Sequence, residues 1–245
     1  MSLSPAFADL LASATVEDSV FELRPDYRAL LLVAEGIEPG PSGSASEQLL
    51  QEAENSARLA LAEQPVGELP HIAAWQEAFR AFGAKPKKVR NSAEALIRRA
   101  EQGLPRVNRL TDIYNALSVI HQIPLGGEDL AAYRGAPRLL RATGEEPFET
   151  MAGGEPMVDH PKPGEVIWCD EAGVTCRRWN WRQGTRTQLT GETTAALFIF
   201  DALDPLSTEE VQTAADELVE QLAAFSPGLR NQRRLLTHDD AGAGK

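Results

Sequence analysis

The sequence predicts an α+β fold, and three observations carry that prediction. Helix-periodic segments crowd the first half, short turn-bounded apolar runs take over from residue 137, and one strongly amphipathic segment closes the pattern. Helices first and strands later do not make the regular alternation that a parallel sheet with crossover helices requires. With 245 residues, 42% hydrophobic and 24% charged, the chain can bury a substantial core, and a single domain over 1–245 is expected.

The elements follow in chain order. Residues 27–37 are a β-rich run ended by the breaker "EPGPSGS", which predicts a strand and then a loop. Over 46–63, Leu49, Leu50, Ala53, Ala57, Ala60 and Leu61 recur at helical spacing, with Ser46 as the expected N-cap. "LPHIAAWQEAFRAFG" puts Ile72, Trp75, Phe79 and Phe82 on one face of a second helix that Gly83 ends. A third helix is expected in "NSAEALIRRAEQG", capped by Ser92 and closed by Gly103. A fourth is expected in "NRLTDIYNALSVIHQIP", ending before Pro124.

From residue 137 the period shifts. "PRLLRATG", "EVIWCDEAG", "VTCRRWNWRQG", "RTQLTGE" and "TTAALFIFDALD" are short and rich in β-favouring residues, which predicts a sheet built mostly of hairpins. "STEEVQTAADELVEQLAAFS" predicts a helix capped by Ser207, with Glu209 and Glu210 at its positive end and Val211, Ala214, Leu218 and Leu222 as its buried stripe. Residues 229–245 end in a Gly-rich run and are expected to form a flexible tail.

The formal net charge of −12 argues against a sequence-independent nucleic-acid coat, which needs a basic surface. Cys169 and Cys176, the only cysteines, flank the predicted hairpin turn without C-x-x-C spacing or a His cluster, so no zinc site is expected. No leader-like segment and no apolar run near the ~20 residues of a membrane helix occurs, which predicts a cytoplasmic chain with reduced thiols. There is no G-x-S-x-G elbow, Walker loop, H-E-x-x-H or G-x-G-x-x-G after a strand, and His71, His121, His160 and His238 are scattered. Covalent catalysis is therefore not favoured, and no catalytic residue is assigned.

Charge is distributed unevenly. Between residues 85 and 109, Lys85, Lys87, Lys88, Arg90, Arg98, Arg99, Arg106 and Arg109 stand against Glu94 and Glu101 alone. This region is either a solvated helix face or a phosphate-contacting surface, and Arg177, Arg178, Arg182 and Arg186, also without sequence-adjacent acids, strengthen the second reading. If "RRWNWR" is a strand, Trp179 and Trp181 share one face and Arg178, Asn180 and Arg182 the other. The polar set then either faces water or offers hydrogen bonds to a carbonyl, a carboxylate or a phosphate. Asn108, Asp112 and Asn115 recur at spacings of four and three on one face of the fourth helix, either as its wet side or, for Asn115, which falls partly toward the apolar face, as a partly buried amide with a specific partner.

Three stretches in order, "FGAKPKKVRNSAEALIRRA", "LPRVNRLTDIYNALSVIHQIPLGGEDL" and "PGEVIWCDEAGVTCRRWNWRQGTRTQLTGETT", resemble the B3/B4 domain. That domain is the aminoacyl-tRNA editing module of the phenylalanyl-tRNA synthetase β subunit, and the likeness is greater to its free-standing members. It covers about residues 65–225. The resemblance implies helices packed on a mostly antiparallel or mixed sheet, with a pocket between the two. It further implies hydrolysis of the ester joining a wrong amino acid to tRNA, by a positioned water and without a metal or organic cofactor. On that basis Asn108, Asp112 and Asn115 shape one wall, Glu165, Arg178, Asn180 and Arg182 supply polar contacts, and Lys85, Lys87, Lys88 and Arg90 meet tRNA phosphates. Positioning and polar stabilisation suit a chain without a triad. Two departures stand out. "CRRWNWRQG" replaces a Gly-rich segment of the synthetases, and Phe200 or Asp201 falls where they hold a glutamate that reads a tyrosine hydroxyl. A tyrosine-specific pocket is therefore not implied. The alternative function is a binding module that holds RNA or an amino-acid-like ligand without turnover.

Overall fold

The computed structural model describes residues 2–241. Along the chain run α1 (Pro5–Ala12), β1 (Thr15–Val16), α2 (Asp18–Phe21), β2 (Arg28–Glu35), α3 (Ser44–Glu63), α4 (Pro70–Ala81), α5 (Ser92–Arg99) and α6 (Arg109–Ile120). There follow β3 (Leu125–Asp129), β4 (Arg138–Arg141), β5 (Phe148–Ala152), β6 (Glu155–Asp159), β7 (Val166–Asp170), β8 (Gly173–Arg177) and β9 (Arg182–Gln183). The last elements are β10 (Ala195–Ala202), α7 (Thr208–Ala223), β11 (Arg230–Leu236) and α8 (His238–Ala241). The described strands form a four-stranded sheet, β11-β2-β10-β3, a five-stranded sheet, β1-β4-β7-β8-β9, and the β5-β6 ribbon. The fold is α+β, and β1 with β4 is the one parallel pairing among these strands.

The four-stranded sheet separates two hydrophobic cores. In β2, Leu30, Leu32 and Ala34 enter one core while Ala29, Leu31 and Val33 enter the other, and in β10 Ala196, Phe198 and Phe200 oppose Leu197 and Ile199 in the same way. A strand buried on both faces reads as an unbroken apolar run, which explains "ALLLVA" and "ALFIF". The first core packs α3, α5, α6 and α7 on the sheet. The second joins the sheet to Trp75 and Phe79 of α4 and to Val166 and Trp168 of β7. Each large side chain so buried contributes about 1.5–3 kcal/mol.

The caps differ in detail from the expected ones. Gly43 precedes α3, and Ser46 sits a turn inside, where its hydroxyl accepts from the Gly43 N–H at 3.0 Å. Asn91, not Ser92, caps α5, its side chain accepting from Glu94 N at 2.8 Å. Ser207 caps α7 in a capping box with Glu210. The tail expectation needs correction: residues 230–236 form β11, paired with β2 from Arg230↔Glu35 to Leu236↔Ala29. An edge strand carries polar side chains on its open side, so "RNQRRLL" lacks the apolar alternation of a strand. Arg234 Nη1 further ties it down by donating to the carbonyls of Leu11 and Ala14 at 3.1 and 3.0 Å. Residues 242–245 lie outside the described ones.

Candidate functional site

The stretch after β8 is a turn rather than a continuing strand. Arg178 and Trp179 adopt left-handed backbone angles, φ +48° and +66°, a conformation that costs a non-Gly residue on the order of 1–3 kcal/mol. Aromatic packing holds it. Trp179 is fully buried, its ring centroid 5.0 Å from that of Tyr27, 5.3 Å from Trp75 and 6.3 Å from Phe82. Trp179 and Trp181 therefore do not share a face, which corrects the strand reading. Trp181 is half-buried and stacks with two guanidinium groups, Arg178 at 4.2 Å and Arg182 at 4.5 Å from its centroid.

Beside this stack lies a cavity of about 270 Å³, at the small end of ligand pockets. It opens between the two larger sheets and the α5–α6 pair. Leu96, Trp168, Trp181 and Ile199 give it apolar walls, while Asn115, Glu128, Asn180 and Asp201 supply polar groups and Arg182 stands with them. Strand parity explains the acids. Asp201 follows Leu197 and Ile199 on one face of β10, and Glu128 pairs opposite Leu197 across β3. Gly127 permits the close approach of neighbouring elements: a Cβ there would lie 2.6 Å from Leu189 Cδ1 and 3.1 Å from the Tyr114 ring.

Burial pushes the Asp201 carboxyl up to about 7, although the Tyr27 hydroxyl donates to Oδ1 at 2.5 Å and Asn180 Nδ2 donates to Oδ2 at 3.2 Å. Burial likewise pushes Glu128 up to about 7, against a hydrogen bond from the Tyr133 hydroxyl. Asn180 is 7% exposed, and its Oδ1 is buried without a hydrogen-bond partner among the described residues. Cys176 also lines the cavity, but burial pushes its thiol well above the ordinary value, so it is a poor nucleophile at neutral pH. Cys169 packs in a separate cluster with Phe148, and both thiols are free. His71 is a structural joint. Its Nδ1 lies 2.9 Å from Gln122 O, its Nε2 accepts from Trp75 Nε1 and Leu203 N at 3.1 Å each, and burial lowers its pKa to about 4.

A second cavity of about 300 Å³ adjoins the stack, with Phe82, Val89 and Pro163 as walls and Lys85, Lys88, Lys162, Arg178 and Glu165 as its charged groups. Through Lys85 and Lys88 it continues into a wider groove of about 910 Å³ that includes Lys87, Arg90, Arg80 and Arg98. The stack separates the two cavities: Arg178 lines the second, Trp181 and Arg182 the first.

The expected site residues thus divide into groups. Asn115, Asn180 and Arg182 meet in the first cavity, while Lys85, Lys87, Lys88 and Arg90 line the basic groove. Glu165 borders the second cavity but is held in a two-point pair by Arg177, at 2.8 and 3.0 Å, with Arg178 at 3.4 Å. Asn108 and Asp112 line neither cavity. Asn108 caps α6, accepting from Thr111 N at 2.9 Å, and the buried Asp112 accepts from Val107 N at 2.8 Å and from the Ser42 hydroxyl. Their shared spacing reflects loop closure at the head of α6. The arginines of the stretch are also less free than their sequence neighbours imply: Arg177 pairs with Glu165 and Asp159, Arg186 with Asp170, and Arg90 and Arg98 with Glu94. Sequence reasoning left Asp201 as one of two alternatives and missed Glu128 and Lys162.

These features define an α+β domain with a small acid-floored cavity beside a basic groove. The B3/4 domain family model matches residues 74–226, and the chain belongs to that family. Among solved structures it is similar to an N-terminal fragment of the phenylalanyl-tRNA synthetase beta-subunit from Pyrococcus horikoshii, at 12% identity and a TM-score of 0.45. The match covers 89% of this chain and 50% of that chain, so this chain spans about half the fragment's length. No curated protein matches. Among the described residues, no helix is long and apolar enough to cross a membrane.

Proposed function

We propose that the chain is a free-standing editing hydrolase that cleaves the ester of a mischarged aminoacyl-tRNA. The observation that carries this reading is the adjacency of the two cavities at Trp181, one sized for an aminoacyl group and the other lined by Lys85, Lys88, Lys162 and Arg178. The aminoacyl end enters the first cavity, and its RNA crosses the Arg178–Trp181–Arg182 stack, where an unpaired base finds aromatic and guanidinium planes. Phosphates then meet Lys85, Lys87, Lys88 and Arg90. This local basic groove supplies attraction that the net charge of −12 does not. The chemistry asks for positioning of ester and water rather than for a side-chain nucleophile, which fits the inert Cys176 and the structural His71.

The test is deacylation of a panel of correctly and incorrectly charged tRNAs at low salt, with Asn180→Ala alongside. Selective release of one amino acid, lost in the variant, supports the reading. Absence of turnover across the panel overturns it and leaves binding without reaction.

A further inference from the structure

Lysine is scarce in this chain and gathers in one place. Lys85, Lys87, Lys88 and Lys162 are all the lysines among the described residues, and each lines the second cavity or the groove it opens into. None of the four side chains has an ion pair or a hydrogen bond among those residues. The nearby arginines behave differently: Arg177 holds Glu165 and Asp159, Arg178 reaches Glu165 at 3.4 Å, and Arg90 and Arg98 hold Glu94. The acids within reach are thus already answered, while the ammonium groups are not. In a chain of net charge −12, like charges left side by side without acids make a local field suited to an anion.

Lys162 sets the cavity apart from the groove. Lys85 and Lys88 line both, whereas Lys162 lines the cavity alone. It stands between the buried Pro161 and Pro163 in the loop after β6. Glu165 N donates to Lys162 O at 2.9 Å, and Gly164 N donates to Ala142 O at 2.7 Å. Flanking prolines and these two bonds stiffen the backbone that carries this lysine. The cavity therefore receives a third ammonium group from a separate loop, together with Arg178, against walls of Phe82, Val89 and Pro163. An internal phosphodiester would bring it a single charge, whereas a phosphate monoester brings about −1.5 to −2 charges and three acceptor oxygens. Three ammonium groups around about 300 Å³ match the monoester.

We propose that the second cavity is a phosphate-monoester site, in which Lys85, Lys88 and Lys162 together with Arg178 take the terminal oxygens of a dianionic phosphate. This chemistry belongs to the 5′ end of an RNA strand or to a free nucleoside 5′-monophosphate. The RNA source rests on the hydrolase reading. There the 5′-phosphate of the acceptor end enters the second cavity while the aminoacylated 3′ end enters the first, and Lys87 in the groove meets the internal phosphates.

The experiment titrates the full chain with one short single-stranded RNA bearing either a 5′-monophosphate or a 5′-hydroxyl, read by anisotropy of a 3′ label. A second arm compares the four nucleoside 5′-monophosphates with their nucleosides by tryptophan fluorescence. The phosphorylated RNA binds about tenfold tighter, as charge-assisted hydrogen bonds to the added phosphate require. Lys162→Ala removes that preference and leaves the 5′-hydroxyl RNA nearly unaffected, whereas Lys87→Ala weakens both RNAs alike and keeps it. An RNA that ignores its 5′ end, with nucleotides that bind above their nucleosides in a Lys162-dependent way, assigns the site to a free nucleotide. Absence of a phosphate preference in both arms overturns the proposal, as does a preference that survives in Lys162→Ala, with circular dichroism confirming each fold. Deacylation assays keep the two ideas apart. Turnover of mischarged tRNA without any phosphate preference preserves the hydrolase and sinks the monoester site. A Lys162-dependent preference without deacylation does the reverse.

Discussion

Of the two cavities that meet at Trp181, the first draws its two acids from neighbouring strands, and the second draws its charges from loops and long side chains. Asp201 and Glu128 project from neighbouring strands of one sheet, with their partners Tyr27 and Tyr133 also buried. Lys85, Lys88 and Lys162 lie between regular elements. Rigid placement suits discrimination among small groups, whereas flexible lysines suit attraction to phosphate whatever the sequence attached. In the proposed reading selectivity falls to one side of Trp181 and grip to the other, and the contrast can be tested by breaking each side in turn.

Trp179→Ala breaks both at once and has the largest effect. The substitution empties the space among Tyr27, Trp75 and Phe82 and leaves the left-handed turn without its anchor. A loss of about 3–5 kcal/mol is expected. It reads as a lower urea midpoint with unchanged slope, and a loss under about 1 kcal/mol would show that the turn is held by something else.

The acid side carries a pH signature. Asp201 is raised from 3.8 to about 7 in the folded chain, so the fold binds more protons than the unfolded chain between those values. Its contribution to stability is full at low pH and is lost as pH rises through that window. Glu128 acts in the same direction. His71, lowered from 6.5 to about 4, acts in the opposite one, its contribution being lost as pH falls through that range. In Asp201→Asn the decline between pH 5 and pH 8 becomes shallower than in the parent by about 2 kcal/mol. Identical pH profiles would remove the buried carboxyl from the account.

How far these features were legible follows from the burial of each element. α7 could be read completely, because its Ser207–Glu210 capping box and apolar stripe are local. Asp201 was half legible: it shares parity with Leu197 and Ile199, but choosing between it and Phe200 requires knowing which face of a doubly buried strand meets the cavity. Glu128 gave no signal, since "LGGED" has little β propensity, and what lets it lie along β10 is Gly127, where Leu189 and Phe198 approach closely. The turn at 178–179 was misread because alternation in "RRWNWR" imitates a strand, and nothing local announces left-handed angles at arginine and tryptophan. Asn108 and Asp112 had the right spacing for a cavity wall but serve the loop before α6.

On the basic side, Lys85→Ala with Lys88→Ala is expected to weaken binding of a short single-stranded RNA by about tenfold at low salt. The slope of log affinity against log salt should fall by about 1.4, near 0.7 per phosphate contact. An unaltered salt slope would show that these lysines do not meet phosphates.

The smallest effect is expected at the wall between the cavities, where two contributions oppose each other. Arg178→Gly relieves a left-handed angle that glycine adopts freely, a gain of about 1 kcal/mol. It also removes one of the two guanidinium planes on Trp181 and the 3.4 Å contact to Glu165, a loss of about 0.5–1 kcal/mol for a partly exposed stack. Stability should therefore move by less than about 1 kcal/mol. Trp181 fluorescence and RNA affinity should both change, because Arg182 alone then supports the ring. If stability falls by several kcal/mol instead, Arg178 is holding the wall through Glu165, and the stack is a by-product of that ion pair rather than a step between the two cavities.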